Sequence, residues 1–136
     1  VVVISLVHYL YQPWEYSRRM DWQGVVGTLN REMKEADCLA VYSYPVESLS
    51  LRPGPIPSRT VKRFSIEGLL REGNPIDEAA SVLDRSTTGD VFLVNNEADR
   101  LVVDPGRRVI RILGERRTES YQMFGRNLVL YRFRKK

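Results

Sequence analysis

The chain has 136 residues, 43% of them apolar, and a formal net charge of +4, which suits one domain with its own core. A single cysteine, Cys38, excludes an internal disulfide framework, and a single histidine, His8, leaves a structural zinc site short of ligands. The charge is uneven: residues 1–99 carry ten Lys or Arg against fourteen Asp or Glu, whereas residues 100–136 carry eleven against three, a net +8.

Val1 to Tyr11, VVVISLVHYLY, is almost wholly apolar and runs into the polar, aromatic stretch Gln12-Pro13-Trp14-Glu15-Tyr16-Ser17-Arg18-Arg19. Eleven residues are too few to cross a bilayer, which takes about 20. Two readings fit equally: the outer end of a longer membrane helix, with Tyr9, Tyr11 and Trp14 at the water interface, or a buried strand or helix of a core. The stretch lacks the basic start and small-residue cleavage site of a signal peptide.

Trp22, Val25, Val26, Leu29 and Met33 recur at helical spacing behind Asp21, a capping residue, so a helix is expected from Asp21 to about Ala36. Cys38 to Tyr44 is a continuous apolar run of strand formers, as in a strand covered on both faces. Pro45 to Gly73 is the least regular part. The prolines of Arg52-Pro53-Gly54-Pro55-Ile56-Pro57 exclude a regular element there, and Thr60 to Phe64 reads as a strand. The first pattern then recurs: Asn74 as cap, Pro75 as first helical residue, and a stripe of Ile76, Ala79, Ala80 and Leu83, before Thr88-Gly89-Asp90 and the strand Val91 to Val94. Helix, acidic turn and buried strand, used twice 53 residues apart, predict a mostly parallel α/β sheet in three layers, with helices on both faces. A third helix is expected from Asp104 to Leu113, capped by Asp104, opened by Pro105 and stopped by Gly114. Tyr121 to Phe124 and Leu128 to Phe133, joined by Gly125-Arg126-Asn127, form a C-terminal antiparallel β-hairpin.

No compact catalytic motif is present. His8 lies in the apolar opening, and Gly24 and Gly27 fall inside a helix, so the glycine spacing that cradles phosphate is missing. The one carboxylate pair, Asp37 and Asp90, sits at the amino ends of its strands, opposite the edge where open α/β sheets bind ligands. Ser43, Tyr44, Asn95, Asn96 and Glu97 end the two strands at the other edge, where hydroxyl and amide groups suit a sugar or a peptide. They are the candidate ligand-binding residues, with the proline-rich loop 52–57 beside them. No metal ligands and no catalytic residues are assigned. The basic last quarter, with Tyr121, Phe124, Tyr131 and Phe133 interleaved, offers another reading: a binding module for nucleic acid or another polyanion.

Four short motifs in order resemble the C-terminal extracytoplasmic region of polytopic membrane glycosyltransferases, relatives of the dolichyl-phosphate-mannose protein mannosyltransferases and of the bacterial aminoarabinose transferases. They are the apolar, aromatic opening; Asp21-Trp22-Gln23-Gly24-Val25-Val26 with Asp37-Cys38-Leu39-Ala40-Val41-Tyr42; Thr88-Gly89-Asp90-Val91-Phe92; and Phe124-Gly125-Arg126-Asn127-Leu128-Val129-Leu130-Tyr131. The chain departs from the pattern at Gln23, where a basic residue is common, and in the prolines of 53–57. The resemblance implies that residues 1–14 are the end of a membrane helix or a membrane-proximal segment, and that residues 15–136 form one α/β domain outside the cytoplasm, periplasmic or extracellular. It implies an accessory role in a transferase that uses a lipid-phosphate-linked sugar, either covering the membrane site or assisting acceptor binding. The catalytic acids would lie upstream, and this region would have no cofactor. Its partners would be the membrane-embedded part of the same protein, the lipid-linked sugar, or an acceptor peptide or glycan, rather than nucleic acid.

Overall fold

The computed structural model describes residues 21–43 and 62–136. The expectations for Val1 to Arg19, Tyr44, the prolines of 45–57 and Thr60-Val61 lie outside them.

Ten elements follow in order: α1 (Trp22–Glu32), β1 (Cys38–Val41), β2 (Lys62–Ser65), α2 (Ile66–Arg71), α3 (Ile76–Arg85), β3 (Val91–Asn96), α4 (Glu97–Val103), α5 (Arg108–Arg116), β4 (Thr118–Met123) and β5 (Leu128–Arg134). The strands make one five-stranded sheet in the order β2-β1-β3-β5-β4. β1 runs parallel to both β2 and β3, while β5 is antiparallel to both β3 and β4. The sheet is therefore mixed, with two pairings of each kind, and not mostly parallel. The reason lies in β5: four of its first five residues are buried, so this apolar strand takes an interior place beside β3, and of the hairpin only β4 lies at an edge, opposite β2.

Two cores result from the alternation of side chains along each strand. Cys38, Ala40 and Tyr42, Val91 and Leu93, and Val129, Tyr131 and Phe133 point to one face, where Ala79, Ala80 and Leu83 of α3 and Val109, Ile110 and Leu113 of α5 cover them. Leu39 and Val41, Phe92 and Val94, and Leu128 and Leu130 point to the other, under Val25 and Leu29 of α1 and Met33 just after it. β1 and β3 are thus buried at every position, and apolar over Cys38–Val41 and Val91 to Val94, because both of their faces are covered.

Asp21 caps α1, its carboxylate accepting from the Gly24 amide at 2.9 Å. A side chain at Gly24 would meet the same carboxylate and the Phe124 ring at 2.8 Å, so glycine lets the helix start lie against the hairpin. The helix stops at Glu32, short of Ala36, because Asp37 turns the chain, its carboxylate accepting from the Lys34 amide at 2.8 Å. Asn74 does not cap α3. Its side-chain amide donates to the Leu69 carbonyl, and Pro75 holds the cap position without a side-chain bond.

The third expected helix is displaced. Asp104 ends α4, and its two carboxylate oxygens reach forward to the Arg108 amide at 2.9 Å and the Val109 amide at 3.0 Å, capping α5 across a turn that contains Pro105. Arg107 sits in that turn with φ 56°, and the helix runs through Gly114 to Arg116.

Candidate functional site: the carboxyl edge of the sheet

Val41 pairs with Val94 in the parallel register of β1 and β3, so the residues that follow each strand emerge at the same edge. This is the edge at which the sequence places its candidate ligand-binding groups, and open α/β sheets bind ligands there. α4 starts as soon as β3 ends and is fixed to the hairpin turn by the Glu97 amide donating to the Asn127 carbonyl at 2.9 Å.

The expected site residues divide into two sets around α4. Asn96 is its cap, accepting from the Ala98 amide at 3.1 Å, and Glu97 is its first residue rather than a strand end. Asn95 is fully buried, and its side-chain amide donates to Glu97 Oε1 at 2.9 Å. Its carbonyl oxygen, equally buried, has no hydrogen-bond partner among the described residues. Ser43 lies elsewhere, in an open groove of about 350 Å³ that it lines with Glu67, Leu70, Asp99, Val102 and Val103. Tyr44, which follows it, is outside the described residues.

Sequence reasoning missed Arg100, Asp104 and Arg107, which hold this edge together. Buried Arg100 donates to Glu97 Oε2 at 2.8 Å and to the carbonyls of Asp104 and Pro105 at 3.2 and 3.3 Å. The Tyr42 hydroxyl donates to Asp104 Oδ2 at 3.2 Å. Arg107 reaches Glu97 at 3.8 Å and donates to the Tyr131 hydroxyl at 2.8 Å. Hydrogen bonds from the Arg100 guanidinium hold the Glu97 carboxyl below the ordinary range, and burial, reinforced by Asp104, drives the Tyr42 hydroxyl far above it. These groups are engaged with one another: they strap α4 over the strand ends. Chemically, the groove on the Ser43 side offers a hydroxyl, two carboxylates and an apolar wall of Leu70, Val102 and Val103, a lining that can bind a hydroxyl-bearing ligand.

The opposite edge is structural. Asp37, buried, accepts from the Asp90 amide at 2.9 Å as well as from Lys34, and Asp90 accepts from Arg132 at 2.9 Å. Gly89 passes so close to Ala36, 3.2 Å from any added side chain, that only glycine fits without a shift. Buried Arg117 donates to Asp84 Oδ1 at 2.7 Å and to the carbonyls of Asp84 and Thr87, fastening α5 to the end of α3. Cys38 lies in the core, where burial pushes its thiol up to about 11.

Much of the basic last quarter is matched by acids from earlier in the chain. Arg108 pairs with Asp77 at 2.6 Å, Arg116 and Arg117 with Asp84 at 3.6 and 2.7 Å, and Arg132 with Asp90 and Glu32 at 2.9 and 3.8 Å. Of its interleaved rings, Phe124, Tyr131 and Phe133 are buried, the last two stacked with centroids 5.8 Å apart, and Tyr121 alone is exposed.

Among the described residues no group of three or more His, Cys, Asp or Glu could hold a metal ion, and no helix is long and apolar enough to cross a membrane. Compared with family models, with curated proteins and with solved structures, the chain matches none.

Proposed function

We propose that this chain is the extracytoplasmic accessory domain of a membrane-bound glycosyltransferase that uses a lipid-phosphate-linked sugar, with its carboxyl edge turned toward the membrane-embedded part of the same protein. One observation carries the reading. The Asp21 amide donates to the Phe124 carbonyl at 3.0 Å, which pins the entry of the chain into α1 against the hairpin turn at the carboxyl edge. The described chain therefore enters the domain, at Asp21, on the edge that also carries Ser43, Asn95 and α4. The motifs that resemble such transferases support it independently: of the four, the three within the described residues fall on α1 with β1, on β3 and on the hairpin.

The domain contributes binding and covering rather than bond chemistry. The strongest polar cluster, Tyr42, Glu97, Arg100 and Asp104, is spent on holding α4, and among the described residues no base is hydrogen-bonded to the Ser43 hydroxyl in its groove. The groove is the place for an acceptor or for the sugar of the donor. The polyanion reading is the weaker one, because the arginines on which it depends are largely paired and one exposed ring is a poor stacking platform.

The test is sugar transfer in membrane vesicles that contain the native polypeptide, with polyprenyl-phosphate sugars as donors. The reading expects transfer that requires residues 21–136, and none from the isolated 136-residue chain. Absence of transfer from any lipid-phosphate sugar, or transfer by the isolated chain, overturns it.

A further inference from the structure

Once its ion pairs are made, the basic last quarter keeps a concentration of unmatched charge at the amino edge of the sheet, where α3, α5 and β5 all end. An open groove of about 460 Å³ there is lined by Arg85, Arg116, Arg117, Lys135 and Lys136 against a single acid, Asp84, a net +4. Buried Arg117 takes Asp84 at 2.7 Å, and Glu78 takes Arg85 at 2.8 Å. Arg116, Lys135 and Lys136 are left over. Arg116 lies 3.6 Å from the already paired Asp84 and donates to the Ser81 hydroxyl at 3.1 Å. Lys136 donates to the Glu115 carbonyl at 3.1 Å, a bond that leaves its charge unbalanced, and Lys135 has no partner among the described residues.

Two ordinary explanations do not use up this surplus. Cations in the last turn of a helix offset its dipole, but the ends of α3 and α5 together amount to about one negative charge. Exposed Glu115 is the acid just outside the groove, and it is outweighed by Arg134 and by Lys62, which donates to the Ser86 carbonyl at 2.9 Å. The lining holds no aromatic ring and no large apolar side chain, so it has nothing on which a nucleobase could stack or an acyl chain could rest. What it has are donors for anionic oxygens. Arg116 brings a planar guanidinium fork that fits phosphate, and the two lysines bring ammonium groups that act as point charges. The mounting is firm, because Arg117 donates to the carbonyls of Asp84 and Thr87 and so fixes the end of α5 that carries Arg116.

We propose that this groove binds a soluble ligand carrying two or three linked phosphate groups, with Arg116 on one phosphate and Lys135 and Lys136 on the next. The donors come from two elements, the end of α5 and the chain after β5, so linked phosphates engage both where a single phosphate engages one. The proposal stands apart from the transferase reading, since it concerns the pole opposite the groove beside Ser43 and holds whatever that groove takes.

The experiment titrates inorganic tripolyphosphate into the whole isotope-labelled chain in mild detergent and follows the backbone amide resonances. Saturable shifts are expected at Arg116, Lys135 and Lys136 and not at Asp99 or Val102 of the carboxyl edge. The dissociation constant rises several-fold as salt goes from about 0.01 M to about 0.15 M. Arg116→Gln, which leaves Asp84 with Arg117, weakens binding several-fold, and Lys135→Glu combined with Lys136→Glu abolishes it. Reversing two exposed cations elsewhere, Arg71→Glu combined with Arg126→Glu, changes it far less. All these side chains are exposed, so the fold is kept in each variant. No saturable shift, or an equal loss from the Arg71 and Arg126 pair, overturns the proposal and leaves a diffuse positive field. Undiminished binding by Arg116→Gln overturns it too, because the lysines alone would then hold the anion without the groove. Shifts of the same amides by vesicles containing phosphatidylglycerol, or by a single-stranded oligonucleotide, where tripolyphosphate gives none, assign the cations to a lipid headgroup or a nucleic-acid backbone and likewise overturn it.

Discussion

Replacing Asp104 by Ala strikes two elements at once. Its side chain is 2% exposed and accepts from the amides of Arg108 and Val109 and from the Tyr42 hydroxyl. Losing the cap of α5 costs about 1 kcal/mol, and leaving the buried Tyr42 hydroxyl without an acceptor adds about 1–3 kcal/mol, for a total of about 2–4 kcal/mol. Tyr42→Phe alone removes one hydrogen bond while Asp104 keeps its two amides, at about 1 kcal/mol. In the Asp104→Ala background the same change removes an orphan and costs nothing or restores stability, so the double-mutant cycle shows a coupling of about 1–2 kcal/mol. Asp104→Asn, which keeps one carbonyl oxygen, falls between wild type and Ala. Urea denaturation followed by circular dichroism in mild detergent measures all four. A cost below about 1 kcal/mol for Asp104→Ala, or strict additivity with Tyr42→Phe, would show that Asp104 does not join β1 to α5.

Arg117→Met removes the donor that links Asp84 and the carbonyls after α3 to α5 and leaves buried acceptors unpaired, so unfolding experiments should show a loss of about 3 kcal/mol; a loss within the range of a surface substitution contradicts the fastening role. Glu97 is held ionised by Arg100 to lower pH in the fold than in the unfolded chain. Its contribution is complete above about pH 4.3 and is lost as pH falls below that value toward the folded one. The stability difference between wild type and Glu97→Gln therefore shrinks on acidification, and a difference that grows instead refutes the pairing. Cys38, whose thiol is raised to about 11 by burial, should react with a thiol reagent at neutral pH only as fast as the chain unfolds, so addition of urea accelerates labelling; rapid labelling without denaturant is the contrary outcome.

The elements most legible in the sequence are those whose periodicity is set by burial on one face or two. Val25, Val26 and Leu29 mark α1 because one side of that helix covers the sheet, and Val91 to Val94 mark β3 because both of its faces are covered. Strand direction is not written in such a pattern, since an interior strand is apolar throughout whether its neighbour is parallel or antiparallel. That is why the insertion of β5 beside β3 was not foreseen. α4 was hidden for another reason: it is seven residues long and turns Leu101 and Val102 outward, so it carries no inward stripe. Its one local sign, Asn96 followed by Glu97 and Asp99, reads in sequence as a cluster of strand-end polar groups. The same ambiguity runs through the candidate site. An asparagine that caps a helix and one that waits for a ligand look alike until the amide it accepts from is seen, and Asn96 proves to be the former. Asp104 was legible as a cap but not as the acceptor of Tyr42, which is 62 residues away in sequence, and nothing local marks Arg100 as buried under the turn after α4.

The most direct test of the central claim compares the two poles of the domain by the rate of sugar transfer from a polyprenyl-phosphate donor in vesicles that contain the native polypeptide. Ser43→Trp fills the groove at the carboxyl edge, and Thr88→Trp places the same bulk at the opposite, polar pole. With both variants folded, Ser43→Trp should lower transfer at least about tenfold, the equivalent of 1.4 kcal/mol in the barrier, while Thr88→Trp leaves it unchanged. Equal rates for the two variants, or a loss confined to Thr88→Trp, would contradict the assignment of the carboxyl edge to the membrane site.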